Sequence, residues 1–197
     1  MCDLNEFALA GMELKMKIYL HLAEGFEEIE ALSVVDVLRR AKIDVETVSI
    51  TGKKEVVGTH NIKVITDLLF DDADYSTAEM IILPGGMPGT TYLEKHKGLV
   101  EKILEFYRNG KWLAAICAAP SILGKLGLLK GKSATCYPGF ENYLIDAVYS
   151  EESVVVSDKI ITSRGPGTAI YFALEIVKII KSEKVADKIR EGMIVRV

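Results

Sequence analysis

The residue of this 197-residue chain that is best suited to covalent chemistry is Cys117, in the segment AAICAAP at 114–120. An apolar run, Trp112–Ile116, predicts a buried strand before it, and a helix is predicted from about Ala119. A nucleophile at such a strand-to-helix turn is held above the sheet edge, and the following helix dipole favours thiolate. A free cysteine is equally common as a small core residue. This segment by itself leaves both interpretations open.

A carboxyl group is predicted at the same edge of the sheet. Glu27, Glu28 and Glu30 stand in the first turn of the first predicted helix. A carboxyl group beside a thiolate tends to keep its proton, and it can then donate a hydrogen bond and transfer that proton. Solvated acids that favour the helix dipole are the alternative, which we prefer for Glu27 and Glu28. Spacing does not select the functional glutamate.

Two glycine turns also follow predicted strands. Gly85-Gly86 ends the apolar run Met80–Leu83, and Gly165-Pro166-Gly167 precedes a predicted helix. Their backbone amides could hold an oxyanion or an anionic ligand, or the glycines could serve only as turns.

The elements that would position these residues alternate along the chain. Strands are predicted at 17–23, 45–50, 80–83, 112–116, 133–137, 154–156 and 159–162, and helices at 27–41, 99–108, 119–126, 167–180 and 184–190. Residues 53–70 predict a hairpin or short edge strands around 58–61. The alternation predicts one domain at 16–197 with a parallel sheet between helices, and ligands bind at the carboxyl ends of such strands.

The composition excludes several classes of protein. The net charge of −4, without basic clusters, argues against nucleic-acid binding, and no apolar run is long enough to span a membrane. Three cysteines without a Cys-x-x-Cys pair, and three scattered histidines, predict neither a disulfide framework nor a metal site. A cytoplasmic protein is therefore expected. Met1–Lys15 is interpreted as an N-terminal extension that lacks the positive charge of a signal peptide.

With these motifs in hand, the chain resembles the ThiJ/PfpI superfamily, and within it the DJ-one branch of deglycases. The likeness covers essentially Met16 to the C-terminus. The matching stretches, in the family's order and spacing, are AEGFEEIE at 23–30, LPGG at 83–86, AAICAAP at 114–120 and TSRGPGT at 162–168.

The resemblance implies a flavodoxin-like three-layer sandwich with a mainly parallel central sheet, similar to class I glutamine amidotransferases, and usually a homodimer. It implies that Cys117 is the elbow cysteine and Glu30 its acid, with no cofactor and no metal. The implied anion pocket is formed by Gly85, Gly86 and Ala118. Further residues are implied as pocket lining: Tyr137, Ser163, Arg164, Gly165 and Pro166.

Two positions depart from the family's patterns. Peptidase-like relatives place a histidine directly after the cysteine, where this chain has Ala118, so a Cys-His protease is not expected. Some deglycases carry a histidine where Tyr137 stands, and a phenol is a poor base at pH 7. His21 is expected to be a core or strand histidine, and Cys136 an ordinary strand cysteine unless it serves as a resolving thiol.

The resemblance implies a cysteine enzyme acting on 2-oxoaldehydes or on their protein or nucleotide adducts. A redox-sensing chaperone, whose cysteine is oxidised to a sulfinate without turnover, is the alternative. Hydration of another small substrate by the same thiol also stays open, because one fold hosts several chemistries.

Overall fold

The computed structural model describes residues 16–196, so the predicted extension Met1–Lys15 lies outside the described residues. The strands are β1 (Lys17–Leu22), β2 (Val45–Ser49), β3 (Glu55–Val57), β4 (Lys63–Ile65), β5 (Leu68–Leu69), β6 (Ala78–Leu83), β7 (Trp112–Ile116), β8 (Ser133–Ala134), β9 (Val148–Tyr149), β10 (Val154–Ser157) and β11 (Ile160–Ser163). The helices are α1 (Glu28–Arg40), α2 (Gly89–Lys95), α3 (Lys97–Arg108), α4 (Pro120–Lys125), α5 (Ala169–Ile180) and α6 (Glu183–Gly192).

A seven-stranded sheet forms the centre of the fold, in the order β10-β11-β7-β6-β1-β2-β5. Its neighbouring strands are parallel except for β10, which is antiparallel to β11. Parallel strands buried on both faces read as continuous apolar runs, and Ile81–Leu83 of β6 is such a run. Because the strands are parallel, the turns that follow β1, β6, β7 and β11 meet at one edge of the sheet.

Helices cover both faces of this sheet. On one face α1, α5 and α6 pack against strand residues such as Ile18, Leu20 and Ile82. On the other face α2, α3 and α4 pack against Tyr19, Ile81 and Leu113. Adjacent strand residues point to opposite faces, so neighbours such as Ile81 and Ile82 belong to different cores. The predicted α/β fold with a mainly parallel sheet is confirmed.

The apolar patterns located most elements to within one or two residues. The helix predicted at 27–41 spans Glu28–Arg40, with acidic residues in its first turn and basic residues in its last. The strand predicted at 133–137 was too long, because only Ser133–Ala134 pairs, with β9 in a separate two-stranded sheet. The hairpin predicted within 53–70 is confirmed as the antiparallel pair β3 and β4. The short helix α2 was missed.

Among residues 16–196, none of the helices combines the length and the apolar character that a membrane crossing requires.

Candidate active site

Cys117 lies at a sharp turn between β7 and α4. Its backbone φ of +65° is in the left-handed region, which residues other than glycine seldom adopt. Two backbone hydrogen bonds hold this conformation: the Cys117 N–H donates to Ser163 O at 2.9 Å, and Cys117 O accepts from the Tyr137 N–H at 2.8 Å. The turn presents the thiol at the carboxyl edge of the sheet, and the residue keeps 8% of its surface exposed.

Glu30 approaches the thiol from the first turn of α1 and is fully buried. Its Oε2 accepts a hydrogen bond from the Gly85 N–H at 2.7 Å. Its Oε1 lacks a hydrogen-bond partner of good geometry, although the Cys117 thiol is close enough for each group to shift the other's pKa. Because Oε1 is buried, that thiol is the group positioned to exchange a proton with it.

Gly85 has to be glycine because the acid and the thiol crowd around it. A Cβ there would lie 2.6 Å from Cys117 Cβ, 2.9 Å from Glu30 Oε2 and 3.0 Å from Cys117 Sγ. Gly86 has φ +90°, and a Cβ there would lie 2.4 Å from the Glu27 nitrogen. The double glycine therefore lets β6 end in close contact with both reactive side chains.

Two backbone amides face the sulfur. The N–H groups of Gly86 and Ala118 both interact with the Cys117 thiol, and both lower its pKa. Gly86 is held in place because its carbonyl accepts from the Thr90 N–H at 2.9 Å and from the Thr90 hydroxyl at 3.0 Å. Two convergent amides at a nucleophile can hold an oxyanion or the oxygens of an oxidised sulfur.

The electrostatics of the pair differ in part from the sequence-based prediction. Burial raises the pKa of Glu30 to about 7, against the lowering effects of the Cys117 thiol and the Gly85 amide. Burial also raises the pKa of the Cys117 thiol, and the nearby Glu30 carboxylate raises it further. The expected lowering by the helix dipole is therefore wrong in its net direction, because the amides are outweighed. A buried thiol of this kind needs an adjacent proton acceptor, and Glu30 is placed to be one.

The end of β11 supports the elbow through Ser163. The Ser163 side chain is buried, and its hydroxyl bonds to Ser153 O and Thr168 Oγ1, both at 2.7 Å. These bonds fix Ser163, whose backbone carbonyl accepts from the Cys117 N–H, and its place in the pocket lining stays a prediction.

The other predicted lining residues take different places. Tyr137 is 45% exposed, and a Cβ on Gly165 would lie 3.0 Å from its ring, so the two pack together beside the elbow. Arg164 donates from Nη1 to Glu151 O at 3.1 Å. Pro166 begins a short 3-10 turn, Pro166–Thr168, that leads into α5.

Glu27 and Glu28 are not the solvated acids that the sequence suggested. They keep only 8% and 3% of their surface exposed. Glu28 accepts from the His60 N–H at 2.7 Å, and its other oxygen lies 2.8 Å from His60 Nδ1. Nothing in the sequence indicates that His60 contacts Glu28, because the two residues are 32 positions apart. Only the tertiary structure brings the turn between β3 and β4 against α1.

The prediction for His21 agrees with the structure, whereas Cys136 is not a strand residue, because β8 ends at Ala134. His21 lies in β1, is fully buried, and has Nε2 2.7 Å from the Tyr75 hydroxyl. Burial lowers its pKa to about 3. Cys136 is a buried free thiol, and burial raises its pKa to about 11. Cys136 directly precedes Tyr137, whose N–H donates to Cys117 O, so a role for Cys136 as a resolving thiol stays a prediction.

Known proteins with similar sequences share one family. The chain is 39% identical over 163 residues to protein DJ-1 homolog B of Arabidopsis thaliana, which covers 82% of this chain. It is 36% identical over 177 residues to protein dj-1beta of Drosophila melanogaster, covering 88% of this chain and 94% of the relative. The chain spans less than half of the Arabidopsis relatives, 37% of homolog B and 46% of homolog A.

Solved structures and a family model give the same assignment. An oxidized DJ-1 of Toxoplasma gondii superposes with a TM-score of 0.88 at 34% identity, covering 92% of this chain and 100% of the other. Drosophila DJ-1beta superposes with a TM-score of 0.87 at 31% identity, covering 93% and 100%. The model of the DJ-1/PfpI family matches residues 16–179. On its fold, its elbow and these similarities, the chain belongs to the DJ-1/PfpI family.

Proposed function

We propose that this protein is a cofactor-independent cysteine enzyme that acts on reactive 2-oxoaldehydes, or on the adducts they form with proteins or nucleotides. One observation carries the proposal: the Cys117 thiol, a buried carboxyl group and two convergent amides meet at one turn. This arrangement supplies a nucleophile, a proton carrier and an oxyanion site, which are the three groups that addition to an aldehyde requires.

In the first step Cys117 Sγ adds to the aldehyde carbon of a substrate such as methylglyoxal. The thiol proton passes to the Glu30 carboxylate and then to the former carbonyl oxygen, which gives a neutral hemithioacetal. The N–H groups of Gly86 and Ala118 stabilise negative charge on that oxygen while it develops. Neither a metal nor a nucleotide takes part in this step.

In the second step Glu30 removes the proton from the carbon bound to sulfur and returns it to the adjacent keto carbon. The electron pair of the broken C–H bond passes through an enediol to the neighbouring carbon, and the hydroxyl proton of the hemithioacetal moves to the former keto oxygen. The sulfur-bearing carbon is thereby oxidised to a thioester and its neighbour is reduced to a hydroxyl-bearing carbon. Water then cleaves the thioester, releasing a 2-hydroxy acid and restoring the thiol. The net reaction converts the 2-oxoaldehyde and one water molecule to the 2-hydroxy acid, with no external oxidant or reductant.

Lactate formation from methylglyoxal by the purified protein tests this proposal. Cys117→Ser should reduce lactate formation to the buffer background, whereas Cys2→Ser, which removes a thiol far from the elbow in sequence, should retain it. Equal activity in the parent and in Cys117→Ser would contradict the proposed nucleophile.

A second candidate is a redox-responsive chaperone, and the same two amides favour it. They could hold the oxygens of a Cys117 sulfinate, formed when two equivalents of peroxide oxidise the thiol and are reduced to water. A similar DJ-1 from Toxoplasma gondii is described as oxidized. Mass spectrometry after mild peroxide, showing two added oxygens at Cys117 without measurable turnover, would favour this candidate.

We also propose a homodimer in the cytoplasm, where free thiols stay reduced. Four large apolar side chains on α1 and the β3–β4 hairpin are strongly exposed: Ile29 at 56%, Leu32 at 39%, Ile62 at 51% and Ile65 at 66%. The Ile62 N–H lies 3.4 Å from Glu28 Oε1, so the turn of the hairpin contacts the helix that carries Ile29 and Leu32. An apolar patch of this kind is typical of a surface that another subunit covers.

A further inference from the structure

A second cluster of chemically capable side chains lies on the other side of the double glycine. Glu27 and Glu28 open α1, and His60 reaches them from the turn between β3 and β4. One ligand atom from each of the three residues lies within 4.8 Å of the other two. The His60 Nδ1 atom is 2.8 Å from Glu28 Oε2 and 3.8 Å from Glu27 Oε1.

The two carboxylates carry more negative charge than the described surroundings neutralise. Their side chains keep only 11% and 4% of their surface exposed. Among residues 16–196, no lysine or arginine forms an ion pair with either of them, and an imidazole is their sole cationic neighbour. Buried charges are costly unless they are paired or coordinate a metal, so the cluster lacks a cation.

Glu27 shows this shortage most clearly. The Glu28 carboxylate accepts from the His60 backbone N–H at 2.7 Å, and its other oxygen lies 2.8 Å from the imidazole Nδ1. Within the described part of the chain the Glu27 carboxylate makes only the 3.8 Å contact to His60, although the residue is 92% buried. A nearly buried carboxylate that makes no hydrogen bond to another described residue, and that lies beside an imidazole and a second carboxylate, is available to bind a cation.

The geometry requires little adjustment to hold an ion. Around tetrahedral zinc, with bonds of about 2.0–2.2 Å, neighbouring ligand atoms stand roughly 3.4 Å apart. The present separations bracket that value, and His60, whose side chain is 65% exposed, is free to adjust. Gly58 gives the Glu28 carboxylate the space that it occupies, since a Cβ there would lie 2.2 Å from Glu28 Oε1.

We propose that Glu27, Glu28 and His60 bind one divalent cation of the zinc class, with water completing its coordination. One imidazole nitrogen and two carboxylate oxygens form a ligand set that Zn²⁺ accepts and that Mg²⁺ and Ca²⁺, which favour all-oxygen sites, accept poorly. The ion would join the β3–β4 turn to α1. Its site adjoins the anion pocket, because the Glu27 N–H donates to Gly85 O at 2.9 Å. This inference is independent of the proposed catalysis.

The test is a calorimetric titration of Zn²⁺ into chelator-treated full-length protein carrying Cys2→Ser and Cys117→Ser, so that reactive thiols do not supply the site. One equivalent should bind per chain. Both His60→Gln and Glu27→Gln should weaken the affinity at least about tenfold. Glu55→Gln, which alters a half-exposed acid on the same hairpin, should leave the affinity unchanged.

A second measurement separates ligation from a loss of folding. Co²⁺ in this site should give visible d–d absorption that His60→Gln abolishes, while the circular dichroism of that variant matches the parent. Absence of stoichiometric binding, or binding that neither His60→Gln nor Glu27→Gln weakens, would overturn the proposal. Neither measurement involves turnover, so the proposed activity could fail while the metal site stands, and the reverse.

Discussion

The backbone N–H of Gly85 donates a 2.7 Å hydrogen bond to Oε2 of Glu30, across 55 residues of sequence. This contact fixes one carboxylate oxygen and leaves the other, Oε1, available to the Cys117 thiol. The turn after β6 therefore sets where the acid stands relative to the nucleophile at the end of β7. Several measurements follow from this arrangement.

Replacing Glu30 by Gln should lower lactate formation by about 10²–10⁴-fold, because an amide cannot accept the thiol proton. Activity assays of the purified variant check this expectation. Glu105→Gln, which removes a half-exposed acid on α3, is the matched control and should retain parental activity. A Glu30→Gln variant as active as the parent would remove the acid from the mechanism.

Gly85→Ala should impair both stability and activity, because the added methyl group would meet Cys117 and Glu30 at 2.6–3.0 Å. Overpacking of this kind typically lowers the free energy of unfolding by about 1–3 kcal/mol. Urea denaturation and the lactate assay measure the two effects. Gly192→Ala has open space around its Cβ position and should be neutral. If both variants behaved alike, the close approach at Gly85 would not be a constraint.

Acid should destabilise the protein through His21, whose pKa burial lowers from 6.5 to about 3. Below pH 6.5 the unfolded chain binds a proton at this residue and the folded chain does not. The free energy of unfolding should therefore fall by up to about 1.4 kcal/mol per pH unit between pH 6.5 and 3, with no contribution above that range.

Urea denaturation at pH 7 and pH 5 measures this effect. His21→Gln, which can still pair with the Tyr75 hydroxyl, should lose less stability between the two pH values than the parent does. Since all other groups are shared, the difference between the two proteins isolates His21. Equal losses would show that His21 is not the acid-sensitive group.

Ile65→Asp should convert the proposed dimer to a monomer, because a charge replaces the most exposed of the four apolar side chains of the patch, at 66%. Sedimentation velocity at micromolar concentration measures the change. Ile145→Asp places the same charge at an apolar residue that is 49% exposed outside the patch, and it should leave the assembly state unchanged. A parent that sediments as a monomer would refute the dimer itself.

Local patterns in the sequence were sufficient for the order of the elements and for the elbow. Apolar runs and the helical stripe of α1 depend on residues a few positions apart, so they predicted β1, α1, β7 and the strand-to-helix turn at Cys117. The sequence did not predict the short helix α2, because seven residues are too few to show a clear helical periodicity. It overestimated the length of β8, because only two residues of that segment pair with another strand.

The sequence by itself determined the α/β fold, the family motifs and Cys117 as the candidate nucleophile, because each depends on residues close together in the chain. Only the tertiary structure decided the burial of Glu27 and Glu28, the approach of His60 across 32 residues, and the raised pKa of the Cys117 thiol. The physical reason is desolvation: how much water a polar group loses depends on segments distant in the chain.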